Sequence, residues 1–436
     1  MKAKKYRPGT LALHAGYDCS QNLQSRAVPI YATTSYVFRD AQEGADLYAL
    51  KKPGFLYSRL GSPTVNTLEE RLADYHGAAG ALAFSSGSAA NAFLLLSLSG
   101  AGRHIVSSPH LYGGTSTLFE HTFKRHGLST TFVDLNDEKA LRAAIRDETI
   151  AVFGEGVANP SGYITDMEKV SAIAHEHGLP LIIDNSAAPP PLLNPFEHGA
   201  DLVSYSLTKL IGGHGTHLGG LVLEKGDFDW GSSGRYNDYL NAPDPTYDGM
   251  NFWEVFGKPH FKQGRSQVVV SKMRLDAMRN FGPTLSPFGA HEFLLGLETL
   301  PLRARRQAES AKAVAEFLAA HPKVAWVRYS GLKSSPYCEL ADKYFNGQPG
   351  AVFGCGLKGG YEAAVKFIDN VGLWSHLANI LDARSLVIHA ASTTHQQLSS
   401  EEREKAGVPD DLIRLSVGLE EVEDLLDGLE KGLAAV

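Results

Sequence analysis

The chain has 436 residues, 43% of them apolar and 20% charged, ordinary proportions for a soluble globular protein and enough for two or three domains with a large core. A formal net charge of −7 excludes an electrostatic case for a nucleic-acid or anionic-membrane partner. Cys19, Cys338 and Cys355 are scattered and form no CxxC pair, which excludes a disulfide framework or a zinc site and fits a reducing, cytoplasmic setting.

The N-terminus is basic, but no long apolar run follows it, so no signal peptide is predicted. The first sixty or so residues mix short apolar groups with Pro, Gly and Thr and read as an extended arm, residues 1–62. A helix is predicted to start at Pro63, with Ser62 as N-cap and Gly77 past its end; Leu68, Leu72 and Tyr75 form its apolar stripe. The stretch Ala81 to Gly102 is the least polar, yet it holds five serines, an asparagine and glycines. It reads as a turn followed by a buried helix, and no membrane span is predicted.

Short apolar strands at 103–107, 129–134, 149–157, 180–185 and 202–206 then alternate with helices. Between the third and fourth, Thr165 and Glu168 have capping-box spacing and Gly178 marks a helix stop. Strand, capped helix, strand is a βαβ unit, which implies an α/β fold with a mostly parallel sheet covered by helices. Residues 226–262 break the rhythm and read as an irregular insertion. A helical segment near 288–320 follows, and the remainder suits a smaller α/β domain. The expected division is 63–285 for the large domain and 286–436 for the small one.

Five features could carry chemistry. Lys209 directly follows a buried-looking strand and precedes a glycine-rich turn. Lysine is rarely buried without a task, and desolvation makes its amine a competent Schiff-base former; taken alone, it reads equally as a surface residue at a strand end. Ser206 and Thr208 beside it could bind phosphate. Asp184 ends the Leu-Ile-Ile strand, at the ligand-binding edge of such a sheet. There a carboxylate could keep a pyridine nitrogen protonated, although a turn aspartate is the commoner case. Ser86, Gly87 and Ser88 open an apolar helix whose N-terminal N–H groups favour an anion; a plain Ser-Gly helix start is the simpler explanation. Tyr112 follows a strand and could stack on a cofactor or pack in the core. Asn159, before Pro160, could donate to a cofactor oxygen or serve the turn. Together they place Lys, Asp, Asn, Tyr and a phosphate cradle at strand ends of one sheet. A dinucleotide-binding fold is not indicated, because no GxGxxG follows a first strand.

At this level of detail the chain resembles the Cys/Met-metabolism group of fold-type I pyridoxal-phosphate (PLP) enzymes, and within it the O-acetylhomoserine sulfhydrylase branch. The resemblance rests on Pro29-Ile-Tyr-Ala-Thr-Thr-Ser, Tyr57-Ser-Arg59-Leu-Gly-Ser-Pro-Thr, Ser85-Ser-Gly, the Asp184 strand, Pro195-Phe-Glu-His-Gly-Ala-Asp, Ser206-Leu-Thr-Lys209, Leu294-Gly-Leu-Glu-Thr-Leu, Ser385-Leu-Val-Ile-His and Ile413-Arg414-Leu-Ser-Val-Gly-Leu-Glu. The insertion at 226–262 and the length favour the sulfhydrylase branch.

The resemblance implies roles by position. Lys209 would hold PLP and shuttle protons, Asp184 would pair with the pyridine nitrogen, and Tyr112 would stack on the ring and help the leaving group depart. Ser86, Gly87, Ser88, Ser206 and Thr208 would bind the phosphate. Tyr57 and Arg59 would reach the phosphate of a neighbouring subunit, implying a homo-oligomer, a tetramer built from active-site-sharing dimers. Arg414 would clamp the carboxylate of an amino-acid substrate, with Ser385, Asn159 and Tyr57 as further contacts. The implied reaction is γ-replacement on O-acetylhomoserine: acetate leaves and a nucleophile adds at Cγ. A lyase, releasing 2-oxobutanoate and ammonia, and a non-catalytic PLP-fold protein are the alternatives. Several positions depart from the usual sulfhydrylase pattern: Ser186 to Pro191 after Asp184, Tyr205, His217, His389-Ala-Ala, and Asn379-Ile-Leu-Asp-Ala-Arg384. These departures leave the nucleophile open among sulfide, thiol, amine and carbon.

Overall fold

The computed structural model describes residues 6–98, 100, 102–394, 396, 401, 403 and 407–436. Residues 1–5 of the basic N-terminus, and Ser99 and Ala101 of the apolar stretch, lie outside the described residues. Seven strands form the larger sheet: β1 (Gly80–Phe84), β2 (Arg103–Ser107), β3 (Leu128–Phe132), β4 (Thr149–Glu155), β5 (Leu181–Asp184), β6 (Leu202–Ser206) and β7 (Gly220–Glu224). Their spatial order is β1-β7-β6-β5-β4-β2-β3. β2 to β6 are mutually parallel, and β7 runs antiparallel to both β1 and β6. All five predicted strands are present.

The strand order positions the site. From β2 the chain steps outward to β3, then returns to β4 on the other side of β2 and continues through β5 to β6. Such a reversal leaves a crevice at the carboxyl ends of the strands on either side of it. The loop after β2 carries Tyr112, β4 ends at Glu155 and leads to Asn159, β5 ends at Asp184, and β6 ends at Ser206. Glu155 pairs with Asp184, and Asp184 with Ser204, so these ends are level with one another.

Helix α1 (Pro63–His76) ends as expected at Gly77, whose φ of 72° is left-handed. Leu68 and Leu72 are fully buried and Tyr75 nearly so. Ser62 makes no side-chain cap; its hydroxyl is buried without a partner. The apolar stretch divides into β1 and helix α2 (Gly87–Leu96): the buried helix is present, and the residues before it form a strand where a turn was expected. The capping box at Thr165 and Glu168 does not form. Helix α3 (Met167–Glu176) begins after Asp166; the Thr165 hydroxyl donates to the Glu155 carbonyl at 2.7 Å, and Glu168 pairs with Lys343 at 2.9 Å. The arm is not wholly extended either: Pro8–His14 and Ala41–Tyr48 are helical.

Helix α4 (Pro287–Ala320) joins the two halves. Its buried Leu297, Ala304, Ala311 and Leu318 share one apolar cluster with β5, β6 and the second sheet. That sheet consists of Val324–Arg328, Val352–Leu357, Leu412–Ser416, Leu386–His389 and Ser375–His376 in this spatial order. No helix of the described residues is long and apolar enough to cross a membrane.

The insertion covers the other face of the large sheet. Trp230, Tyr236, Phe252 and Trp253 are buried against Leu82, Ile105, Phe153 and Val222. Lys272 is buried beneath it, 2.6 Å from Asp244 and 3.4 Å from Asp276, with the Tyr239 and Phe252 rings 4.4 and 4.7 Å away. Truncating one partner of such a pair strands the other charge. Lys272→Ala is therefore expected to lower stability by about 3 kcal/mol, read as a reduced urea midpoint. An unchanged midpoint would show that the pair does not anchor the insertion.

Candidate active site

Three strand ends and one helix start build the site. At the end of β5 the Asp184 carboxylate accepts from Asn91 Nδ2 at 2.9 Å, from the Ser186 N–H at 3.0 Å and from Ser186 Oγ at 2.6 Å. These donors come from α2 and from the residues following the strand, so the carboxylate has one orientation. At the end of β6, the Ser206 N–H donates to Ser186 Oγ at 2.6 Å, and Thr208 Oγ1 accepts from the Gly219 N–H at 3.0 Å. The Gly213 N–H donates to the Lys209 carbonyl at 2.7 Å, closing the turn behind the lysine.

Helix α2 starts against this turn. Ser86 caps it, with Oγ accepting from the Ala89 N–H at 3.1 Å. Gly87 is required by contact: a Cβ there would lie 2.7 Å from Ser206 Cβ. The close approach brings the positive helix end, with Gly87 and Ser88, beside Ser206 and Thr208, which is a phosphate cradle in form.

The Lys209 amine is partly buried and donates to Asn379 Oδ1 at 2.6 Å. Burial, and then the Arg414 charge, push its pKa down to about 8. A neutral amine is the nucleophile toward an aldehyde. Attachment of PLP to cofactor-free protein is therefore expected to speed up with pH until about 8 and then level off. Stopped-flow absorbance at a series of pH values reads this; a rate still rising through about 10 would mark an ordinary lysine.

Arg414 lies on Leu412–Ser416, paired with Gly354 and Ile388 in the middle of the second sheet. Its guanidinium is buried and donates to the Asn379 carbonyl at 3.1 Å. Burial pushes its pKa down to about 10, so it remains a cation at neutral pH. Tyr112, half exposed, opens toward the cavity from the loop after β2. Asn159 is 9% exposed, and its Oδ1 is buried with no partner.

A cavity of about 350 Å³ brings Lys209, Tyr112, Asp184, Ser86, Gly87, Ser88, Asn159, Ser206, Thr208 and Arg414 together. Three predicted residues stand elsewhere. Ser385 is a correction: its hydroxyl and N–H both donate to Glu420, at 2.8 and 2.7 Å, and it is fully buried away from the cavity. Tyr57 and Arg59 lie on the arm, do not line their own chain's cavity, and pack on each other at 5.4 Å. The departures in sequence also divide. Tyr205 is a core residue, its hydroxyl bonded to His76 Nε2 at 2.9 Å and Asn185 Nδ2 at 3.1 Å. His389 bonds Ser392 and the Asp410 carbonyl at 2.8 and 2.7 Å. Neither these two nor His217 lines the cavity, whereas Ser186 and Ala187 do; Asn379 and Ile380 also line it but keep the usual residues of their run, which departs at Leu381 and Arg384. Leu381, next along, is fully buried in the left-handed region at φ 59°, with its N–H on Ser416 Oγ at 2.6 Å.

Sequence reasoning missed Asn91, Glu155, Ser186 and Asn379 as cavity residues. Asn91 had a signal, lying one turn into the helix already singled out. Asn379 had none, because it meets Lys209 from 170 positions away.

The residues present fit PLP. A partly buried amine with a lowered pKa, a carboxylate held by three donors and a helix-end cradle that a Cβ would fill match the aldehyde, ring nitrogen and phosphate of that cofactor. Fold and site thus define a fold-type I PLP-dependent enzyme. The chain belongs to the Cys/Met metabolism PLP-dependent enzyme family, which it matches over residues 9–434. It is 46% identical to an O-acetyl-L-homoserine sulfhydrylase of Leptospira meyeri, over 99% of this chain and 97% of the relative. It is 47% identical to O-acetyl-L-homoserine sulfhydrylase 1 of Thermus thermophilus, over 98% and 99%. Among solved structures, a putative O-acetylhomoserine (thiol)-lyase of Campylobacter jejuni superposes with a TM-score of 0.93 at 37% identity, covering 98% of this chain and all of that one. That structure carries an N'-pyridoxyl-lysine-5'-monophosphate.

Proposed function

We propose that this enzyme carries out γ-replacement on O-acetyl-L-homoserine, with sulfide or a small thiol as the incoming nucleophile. One observation carries the reading: the Lys209 amine and the Arg414 guanidinium converge on opposite polar ends of Asn379, at 2.6 and 3.1 Å. An α-amino acid held by its carboxylate on Arg414 therefore presents its α-carbon to Lys209. The sulfhydrylase relatives supply the acyl group and the nucleophile class.

When bound, PLP supplies an electron sink for negative charge developing on the substrate. Lys209 would be the residue to which it attaches, Asp184 would pair with its ring nitrogen, and Ser86 to Ser88 with Ser206 and Thr208 would hold its phosphate. Asn159 would donate to its phenolic oxygen through the side-chain amide, and Tyr112 would supply the aromatic face of the site. Arg414 grips the substrate carboxylate with two parallel hydrogen bonds. Lys209 Nζ takes the proton from Cα, a second proton leaves Cβ, and acetate departs from Cγ with help from Tyr112. The nucleophile then bonds to Cγ, giving up its own proton, a proton returns to Cβ, and Lys209 returns the α-proton.

Tyr57 and Arg59 complete the phosphate site of a neighbouring copy, in a tetramer built from site-sharing dimers. Two observations support this. Neither residue lines its own cavity, and the same arm leaves Leu23 and Val37 99% exposed. The large and small domains divide at 286, and the setting is cytoplasmic. The test is product analysis of purified holoenzyme with O-acetylhomoserine and sulfide. Homocysteine and acetate in equal amounts are expected; 2-oxobutanoate and ammonia without homocysteine would overturn γ-replacement. A panel of larger thiols and amines in the same assay bounds the nucleophile.

A further inference from the structure

Glu155 has no role in the scheme above, although it lines the cavity and is 6% exposed. It is the last residue of β4 and stands directly opposite Asp184 in the sheet register. Paired residues on neighbouring strands point to the same face, and two acidic side chains so placed repel one another. A pair of carboxyls at this position weakens the sheet, so its reason lies in what Glu155 holds.

Its two oxygens reach two different connections. Oε1 accepts from the Tyr112 N–H at 2.6 Å, in the loop after β2. Oε2 lies 3.4 Å from the Asn159 N–H, in the turn after β4. Among the described residues Glu155 is the partner of the Tyr112 N–H, and Gly113 and Gly114 follow directly, so the chain beyond the ring has little side-chain bulk to brace it. The Tyr112 ring folds back over Gly114, where a Cβ would come within 2.6 Å of it. Glu155 is itself held by the sheet and by Thr165, whose hydroxyl donates to its carbonyl at 2.7 Å.

We propose that Glu155 is a positioning residue: its carboxyl ties the Tyr112 loop and the Asn159 turn to the end of β4, fixing the ring and the amide relative to Asp184. Burial, and then the nearby Asp184 carboxylate, raise its pKa well above the ordinary glutamate value, which favours the protonated form. Both oxygens accept from backbone N–H groups, one in each connection. Glutamine has the same shape but only one acceptor oxygen, enough for the shorter bond to the Tyr112 N–H, and aspartate falls one methylene short of both.

The role rests on the reading of the reaction only for the choice of kinetic assay. The test compares Glu155→Gln, Glu155→Asp and Glu155→Leu as holoenzymes, by visible circular dichroism of the bound cofactor and by steady-state kinetics with O-acetylhomoserine and sulfide. Glu155→Gln is expected to keep the tie to Tyr112 and lose the longer one to Asn159, with a dichroism band close to the wild type and a kcat within about tenfold. Glu155→Leu and Glu155→Asp are expected to keep the cofactor, change its dichroism band, and lose kcat by roughly 100-fold at nearly constant KM, as for misplacement of reacting groups. Wild-type dichroism and kcat in Glu155→Leu would overturn the proposal, and so would Glu155→Gln as impaired as Glu155→Asp. If Glu155→Leu does not fold, the order of Gln and Asp decides alone. If the wild type makes no homocysteine, the reaction assignment fails, while the dichroism series still decides Glu155.

Discussion

Replacing Lys209 with alanine is expected to reduce kcat at least about 1000-fold, because one change removes both the covalent tether and the proton-transfer group. The amine sits at the end of β6, in a turn closed by the Gly213 N–H, with Asn379 as its hydrogen-bond partner. Among the described residues no other lysine lines the cavity. Borohydride treatment should add one pyridoxyl phosphate to the wild-type mass and nothing to Lys209→Ala. A small exogenous amine should restore part of the lost rate by entering the space vacated by the side chain. The fold should survive, since the Asn379 amide oxygen left behind faces a cavity large enough for water. A Lys209→Ala protein that retains more than a few per cent of kcat, or is still labelled at another residue, would overturn the assignment.

Arg414→Leu is expected to act mainly through KM. Truncating one partner of a buried, hydrogen-bonded charge pair costs about 2 to 5 kcal/mol, or roughly 30- to 5000-fold in kcat/KM. Arg414→Lys should fall between, because an ammonium restores the charge without the planar fork. The variant also carries a second signature. The Arg414 cation disfavours a proton on Lys209, so its removal should raise the Lys209 pKa above about 8 and shift the pH dependence of cofactor attachment upward. KM within about threefold of wild type in Arg414→Leu would exclude the carboxylate-binding role. An unmoved pH profile would show that the two cations do not interact.

The departures from the sulfhydrylase pattern read differently once the side chains are placed. As sequence, Tyr205, His217 and His389 stood beside the Asp184 strand and the Asn379 run as reasons to expect an unusual nucleophile. Tyr205 instead closes a buried hydrogen-bond set with His76 and Asn185, and His389 is tied to its own turn and to Asp410. Of the positions that depart, only Ser186 and Ala187 line the cavity; in the Asn379 run the departures are Leu381 and Arg384, which do not. Substitutions that preserve a core need not follow the substrate, so the case for a non-sulfur nucleophile narrows to those two residues.

The sequence by itself determined the parallel half of the large sheet, because each strand there is a short apolar run bounded by turn residues. The strands 103–107 and 202–206 agree to the residue. It determined Lys209, Asp184, Ser86 and Asn159 as candidates for the same reason: each stands where a strand or helix ends, and in a parallel sheet those ends converge. Arg414 was legible only through the resemblance to its family, since nothing local distinguishes it from any strand arginine. Tertiary structure alone decided the rest. In Gly80–Phe84 and Gly220–Glu224 every residue is buried, so no alternation marks a strand. The Thr165 hydroxyl is drawn from its expected cap to the Glu155 carbonyl, a partner ten residues away that local spacing cannot reveal. Asn379 joins Lys209 to Arg414, and Glu155 joins Tyr112 to Asn159, only because separate strands end level with one another and two sheets meet across α4. Periodicity and turn chemistry are local properties of a chain, whereas a hydrogen bond between distant residues exists only after the sheets have packed.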